Sequence, residues 1–138
     1  MTTTEERNKE VMRRYEEEVW NERNLDVIEE VLAEDFVLHY PNSQEVHGPE
    51  EFREKAESNQ AAFPDSSQTT EDIIAEDDMV VMRLVVRGTH GGEFMGYAPT
   101  GKEFEIEEVH IVRIEDGKIV EQWSQADMMG LMEQLGVQ

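Results

Sequence analysis

Between Glu103 and Asp127 the chain reads EFEIEEVHIVRIEDGKIVEQWSQAD, with apolar and polar residues alternating on both sides of Asp116-Gly117. Period-two alternation marks a strand with one buried face. Asp-Gly is favoured in the two-residue turn joining antiparallel strands. A chain built around such a hairpin is committed to a sheet. With Asp116 and Gly117 as the loop, Glu115 pairs with Lys118. An unbroken register then sets Val112 opposite Glu121, His110 opposite Trp123, Glu108 opposite Gln125 and Ile106 opposite Asp127. In that register Phe104, Ile106, Glu108, His110, Trp123, Gln125 and Asp127 share one face, while Arg113, Val120, Gln122 and Ser124 share the other. A bulge near Glu107–Glu108 would displace part of this assignment.

The rest of the chain supplies partners for that sheet. Thr3 with Glu6, or Thr2 with Glu5, forms a capping box. Val11, Met12, Tyr15 and Val19 follow at helical spacing, and Trp20 extends the stripe. A short second helix carries Leu25, Ile28 and Leu32, and DFVLHYP (35–41) reads as a short strand ended by proline. HGPEEFREKAESNQAAF predicts a third helix that opens at Pro49, buries Phe52, Ala56 and Phe63, and stops at Pro64. QTTEDIIAE and MVVMRLVVRGTH are strands joined at Asp77-Asp78, with Met82, Leu84 and Val86 facing inward. Gly91-Gly92 turns the chain into EFMGY, APTGK is a loop, and MMGLMEQLG is a short helix or turn. Three helices interleaved with one short strand, then a run of antiparallel strands, predict an α+β fold in one domain, 1–138.

Charge narrows the partners. Asp and Glu number 33 against 12 Lys and Arg, a formal net charge of −21. Phosphate backbones and anionic membrane surfaces are repelled by such a chain, so neither nucleic acid nor membrane is an expected partner. No run of apolar residues is long enough to span a bilayer, and the N-terminal stretch MTTTEERNKE is polar, unlike a secretory leader. Cysteine is absent, which removes disulfide and thiolate chemistry, and a cytoplasmic location is the default expectation. Lysine occurs only at Lys9, Lys55, Lys102 and Lys118. An acidic, lysine-poor surface on an ordinary core reads as adaptation to high salt, with an acidic mesophilic protein as the alternative. In about 1 M salt the screening length is only about 3 Å, which relieves the self-repulsion. The expected result is a melting temperature that rises between dilute buffer and molar KCl; an unchanged value would refute the adaptation.

His110 and Asp127 are the candidate catalytic pair, His110 to polarise a substrate and Asp127 as acid/base. Each also has a structural reading: His110 as a hydrogen-bonded partner of Trp123, and Asp127 as the cap of the last helix. Tyr15, Trp20 and Phe63 read as core residues that also wall a pocket. His39, Glu108, Trp123 and Gln125 join them as candidate substrate contacts. Met82, Met95 and Met128 are either an adaptable lining, with Met129 and Met132, or gap-filling core. His47 reads as a loop or cap residue. The four histidines lack a metal-binding spacing, and no phosphate-cradling loop or serine-nucleophile signature is present, so neither a metal nor a cofactor is expected.

The segments YEEEVWNERNLDVIEEVLAEDFVLHYP, GTHGGEFMGYAPTGKEFEIEEVHIVRIEDGKIVEQW and DMMGLMEQLG occur in this order over most of the chain. Together they resemble the SnoaL-like polyketide cyclases (ester cyclases) of the nuclear transport factor 2-like (NTF2-like) superfamily. The resemblance implies a cone-shaped, curved antiparallel sheet of five or six strands, wrapped by three N-terminal helices and enclosing a pocket. It implies a homodimer through the outer sheet face, where Arg83, Val85, Arg87, Ile111 and Val120 would lie. It further implies cofactor-independent acid/base chemistry on a small hydrophobic carbonyl compound, with His110 matching the family's polarising histidine. Many relatives carry an aspartate directly after the last strand's tryptophan, where this chain has Ser124. Three functions stay open: a cyclase, an isomerase or dehydratase on the same scaffold, and a ligand-binding dimer without catalysis.

Overall fold

The computed structural model describes residues 3–41 and 44–137. Helix α1 (Thr4–Arg14) starts at the Thr3–Glu6 capping box, with Thr3 Oγ1 accepting from the Glu6 amide and Glu6 Oε2 from the Thr3 amide. Thr2, of the alternative frame, lies outside the described residues. The helix then widens into a π-helical segment, Tyr15–Asn21. Leu25–Val27 forms one 3₁₀ turn and α2 is Ile28–Val31. Leu32, expected on that helix, instead begins β1 (Leu32–His39). Strand β2 (Glu45–His47) leads into α3 (Gly48–Ala62), with proline in its first turn as expected. β3 (Ser67–Glu76), β4 (Met79–Thr89), β5 (Glu103–Glu115) and β6 (Lys118–Ala126) follow, and α4 (Met128–Leu135) is a true helix. Within EFMGY, Phe94 and Tyr97 exchange backbone hydrogen bonds about a tight turn at Met95-Gly96, both with positive φ.

The six strands form one sheet in the order β2-β1-β6-β5-β4-β3. Every pairing is antiparallel except β1 with β6, which is parallel. That exception departs from the expected all-antiparallel sheet. The long path through α3 and four strands lets the two ends of the chain meet running the same way. The inner sheet face presents Met82, Leu84, Phe104, Ile106, Val112 and Ile114, all buried in the core with Phe36, Leu38 and the α3 residues Phe52 and Ala56. Phe52 is fully buried, with Tyr15, Trp20 and Phe36 ring centroids 5.7–5.8 Å away. This aromatic group fastens α1, its π extension, α3 and β1 together. The result is an α+β fold in which the helices cover the concave side of a curved sheet.

The β5–β6 hairpin departs from the unbroken register. Glu115 pairs with Lys118 and Ile114 with Ile119, but Arg113 pairs with Glu121. Val120 is therefore an extra residue, and the bulge sits beside the turn and not at Glu107–Glu108. One inserted residue reverses the faces of everything beyond it. His110 consequently lies opposite Ser124, and Ile111 opposite Trp123.

Candidate active site

The inner face of β5 continues Phe104, Ile106, Glu108, His110, Val112, as alternation requires, and all but Glu108 are buried. Because of the bulge at Val120, β6 contributes Gln122 and Ser124 to this face, both buried. The π segment contributes Tyr15 and Glu16, buried at 0% and 4% exposure. π-helical turns are rare and are frequent at functional sites. Here the turn brings a carboxylate and a phenol to the floor of the sheet.

His110 is the centre of this group. Its Nδ1 lies 2.8 Å from Glu16 Oε1 and its Nε2 lies 3.0 Å from Glu108 Oε1. Burial alone works against the charged ring. The Glu16 carboxylate and hydrogen bonds to Glu108 and Glu16 outweigh it and push the His110 pKa up to about 10. The ring is therefore an imidazolium at neutral pH, donating from both nitrogens. Beside it runs a neutral chain: Tyr15 Oη donates to Gln122 Oε1 at 2.8 Å, and Gln122 Nε2 donates to Ser124 Oγ at 2.9 Å. Burial, then the Glu16 charge, hold the Tyr15 phenol well above its ordinary pKa, so it stays protonated. Glu16 Oε2 and Trp20 Nε1 are buried without a hydrogen-bond partner, and such groups in a native interior call for an explanation.

Access is uneven. The His110 and Glu16 side chains are 6% and 5% exposed, against 21% for Glu108. Tyr40 stands nearby: burial, followed by the Glu108 charge, raises its phenol to about 12. Of His110, Glu16 and Glu108, the three side chains in contact, Glu108 is the one that meets solvent.

The other expected site residues fall into two groups. Tyr15 belongs to the cluster; Met82 is buried on β4 directly opposite His110; Trp20 is half-buried, edge-on to Phe52. Phe63 is buried among His90, Phe94 and Phe104. The bulge turns Trp123, Gln125 and Asp127 away from the His110 face, and His39, Met95 and Met128 lie on other elements. Trp123 lies on the opposite face, stacked on His39 at 5.5 Å, and His39 also contacts Glu121 at 2.6 Å. Gln125 is exposed. Asp127 is exposed and caps α4, its Oδ1 accepting from the Gly130 amide at 2.9 Å, so it does not share the His110 face. Met95 is 66% exposed at its turn, and Met128 is 37% exposed beside Met129 and Met132. His47, on β2, is exposed and contacts Glu45.

Three members of the cluster escaped the sequence reading: Glu16, Gln122 and Ser124. The signal for Glu16 was present. It follows Met12 by four residues and precedes Val19 by three, so it sits inside the apolar stripe. A glutamate there must find a cationic partner or lose its charge.

The SnoaL-like polyketide cyclase family matches residues 9–135 of this chain. The nogalonic acid methyl ester cyclase of Streptomyces nogalater is 31% identical over 119 residues, covering 85% of this chain and 89% of that protein. Among solved structures, IdmH of Streptomyces antibioticus superposes with a TM-score of 0.83 at 34% identity, covering 94% of this chain and 99% of its own. A SnoaL-like chain from Jannaschia sp. CCS1 reaches a TM-score of 0.93 at 24% identity, covering 100% and 97%, which supports the fold.

Proposed function

Because the chain belongs to the SnoaL-like polyketide cyclase family, we propose that it closes a carbon ring by intramolecular aldol addition in a small, hydrophobic, aromatic carbonyl compound bearing a methyl ester. No cofactor is needed for such a reaction: one C–H bond and the π bond of one C=O group are exchanged for a C–C and an O–H bond within one molecule. The observation that carries the reading is the buried His110 ring, held between the Glu16 and Glu108 carboxylates, which favour its imidazolium form. An imidazolium in a water-poor setting stabilises the enolate oxygen that forms when a proton leaves the carbon beside a carbonyl. The methyl ester follows the substrates named for relatives at 31–37% identity.

Incubation with an aromatic keto methyl ester able to close a ring should yield an isomer of unchanged mass and shorter chromatographic retention. A second reading is favoured by Ser124, which sets a hydroxyl and not a carboxylate opposite His110. On that reading the chain binds such compounds without turning them over. Tight binding with no isomer formed would decide for it.

The working form we propose is a cytoplasmic homodimer through the outer sheet face. Val81, Val85, Val109 and Ile111 are half-buried there, among the ion pairs Arg83–Glu107 and Arg87–Glu105. Adaptation to high salt belongs to the same proposal, since the 12 basic side chains cannot neutralise 33 acidic ones.

A further inference from the structure

We propose that Glu108 is the catalytic base of this site, taking the proton from the substrate carbon that becomes the nucleophile. The inference rests on the cyclase reading above and names the residue that reading leaves open. Three carboxylates were in contention. Asp127 caps α4 and is exposed. Glu16 touches His110, but its side chain is 5% exposed and lies on the Nδ1 side of the ring, behind it. Glu108 alone both touches the ring, at Nε2, and meets solvent. It precedes His110 by two residues on β5, so the two side chains leave the same strand face as neighbours. Ser124 cannot substitute, because a hydroxyl is too weak a base to take a carbon-bound proton at neutral pH.

The chemistry follows from this placement. An incoming carbonyl oxygen accepts the Nε2–H of His110 and displaces Glu108 sideways toward the adjacent CH₂. The C–H bond breaks, its proton goes to the Glu108 carboxylate, and the electron pair moves onto the carbonyl oxygen as an enolate. The enolate carbon bonds to the ketone carbon of the same molecule, and the resulting alkoxide takes the proton back from Glu108. Atoms and electrons balance with no oxidant, reductant or second reactant. Glu16 holds the ring from the Nδ1 side throughout.

The test uses methyl benzoylacetate, which has an acidic CH₂ between ketone and ester and cannot close a ring. Exchange of that CH₂ with D₂O, followed by NMR above the uncatalysed background, reads the proton-transfer step alone, and ligand-induced fluorescence change reads binding. Glu108→Gln should lower enzyme-catalysed exchange by roughly 10²–10⁴-fold with little change in Kd, while Asp127→Asn retains it. Glu108→Ala with added formate should recover part of the exchange, which a fold defect would not allow. Wild-type exchange persisting in Glu108→Gln overturns the assignment and leaves the cyclase reading standing. Binding without exchange in the wild-type protein overturns both.

Discussion

Replacing His110 by leucine should lower folding stability by roughly 3–5 kcal/mol, the usual effect of removing one partner from a buried ionic group. The substitution leaves Glu16 and Glu108 facing the same small volume with no cation between them. Glu16 cannot relax toward water, because it is 4% exposed, and its second carboxylate oxygen already lacks a partner. Met82, opposite on β4, offers no proton to either carboxylate. Glutamine at the same position keeps a neutral donor and should be the milder variant for stability. It should still lose roughly 10²–10³-fold in ring closure, because a neutral amide stabilises an enolate far less than a cation does. Urea denaturation of both variants, with turnover of His110→Gln, measures the two effects separately. A leucine variant as stable as the wild type would mean that the two carboxylates already share a proton and that the ring is not the charge holding them.

The inner face of β5 was legible from its alternation. The partner strand was not, although it was read from the same hairpin and the same turn. The turn residues and the Glu115–Lys118 pair agree with expectation. Val120 then enters as an extra residue, and in a run such as IVEQW, with two apolar residues followed by two polar ones, alternation does not reveal which residue is unpaired. One residue exchanged Trp123, Gln125 and Asp127 for Gln122 and Ser124 at the His110 face. The parallel β1–β6 pair was hidden for another reason: it joins segments more than 80 positions apart, beyond the reach of any local pattern. Glu16 was different again, since its burial followed from the stripe that was read correctly around it. The family resemblance supplied the fold.

Glu16→Gln should change how stability depends on pH. His110 ordinarily titrates near 6.5, and in the folded chain burial opposes its charge while Glu16, then Glu108, raise it to about 10. A raised folded-state pKa means that the contribution is fully present below about 6.5 and is lost as pH climbs through about 10. Across that window the folded chain holds one more proton than the unfolded chain at this residue. Its contribution therefore falls by about 1.4 kcal/mol per pH unit. Removing the Glu16 charge removes the strongest of the influences favouring the imidazolium, so the steep window should shrink toward neutral pH. Wild type and variant should differ most near pH 6–7 and approach one another toward pH 10, as read by denaturant midpoints taken at each pH. Two parallel curves would mean that Glu16 does not set the charge on the ring. The same substitution should bring a basic limb into the rate profile near neutrality, because an imidazole that has lost its proton no longer supports an enolate. Stability and turnover would then share one titration, with Glu16 acting on both through His110.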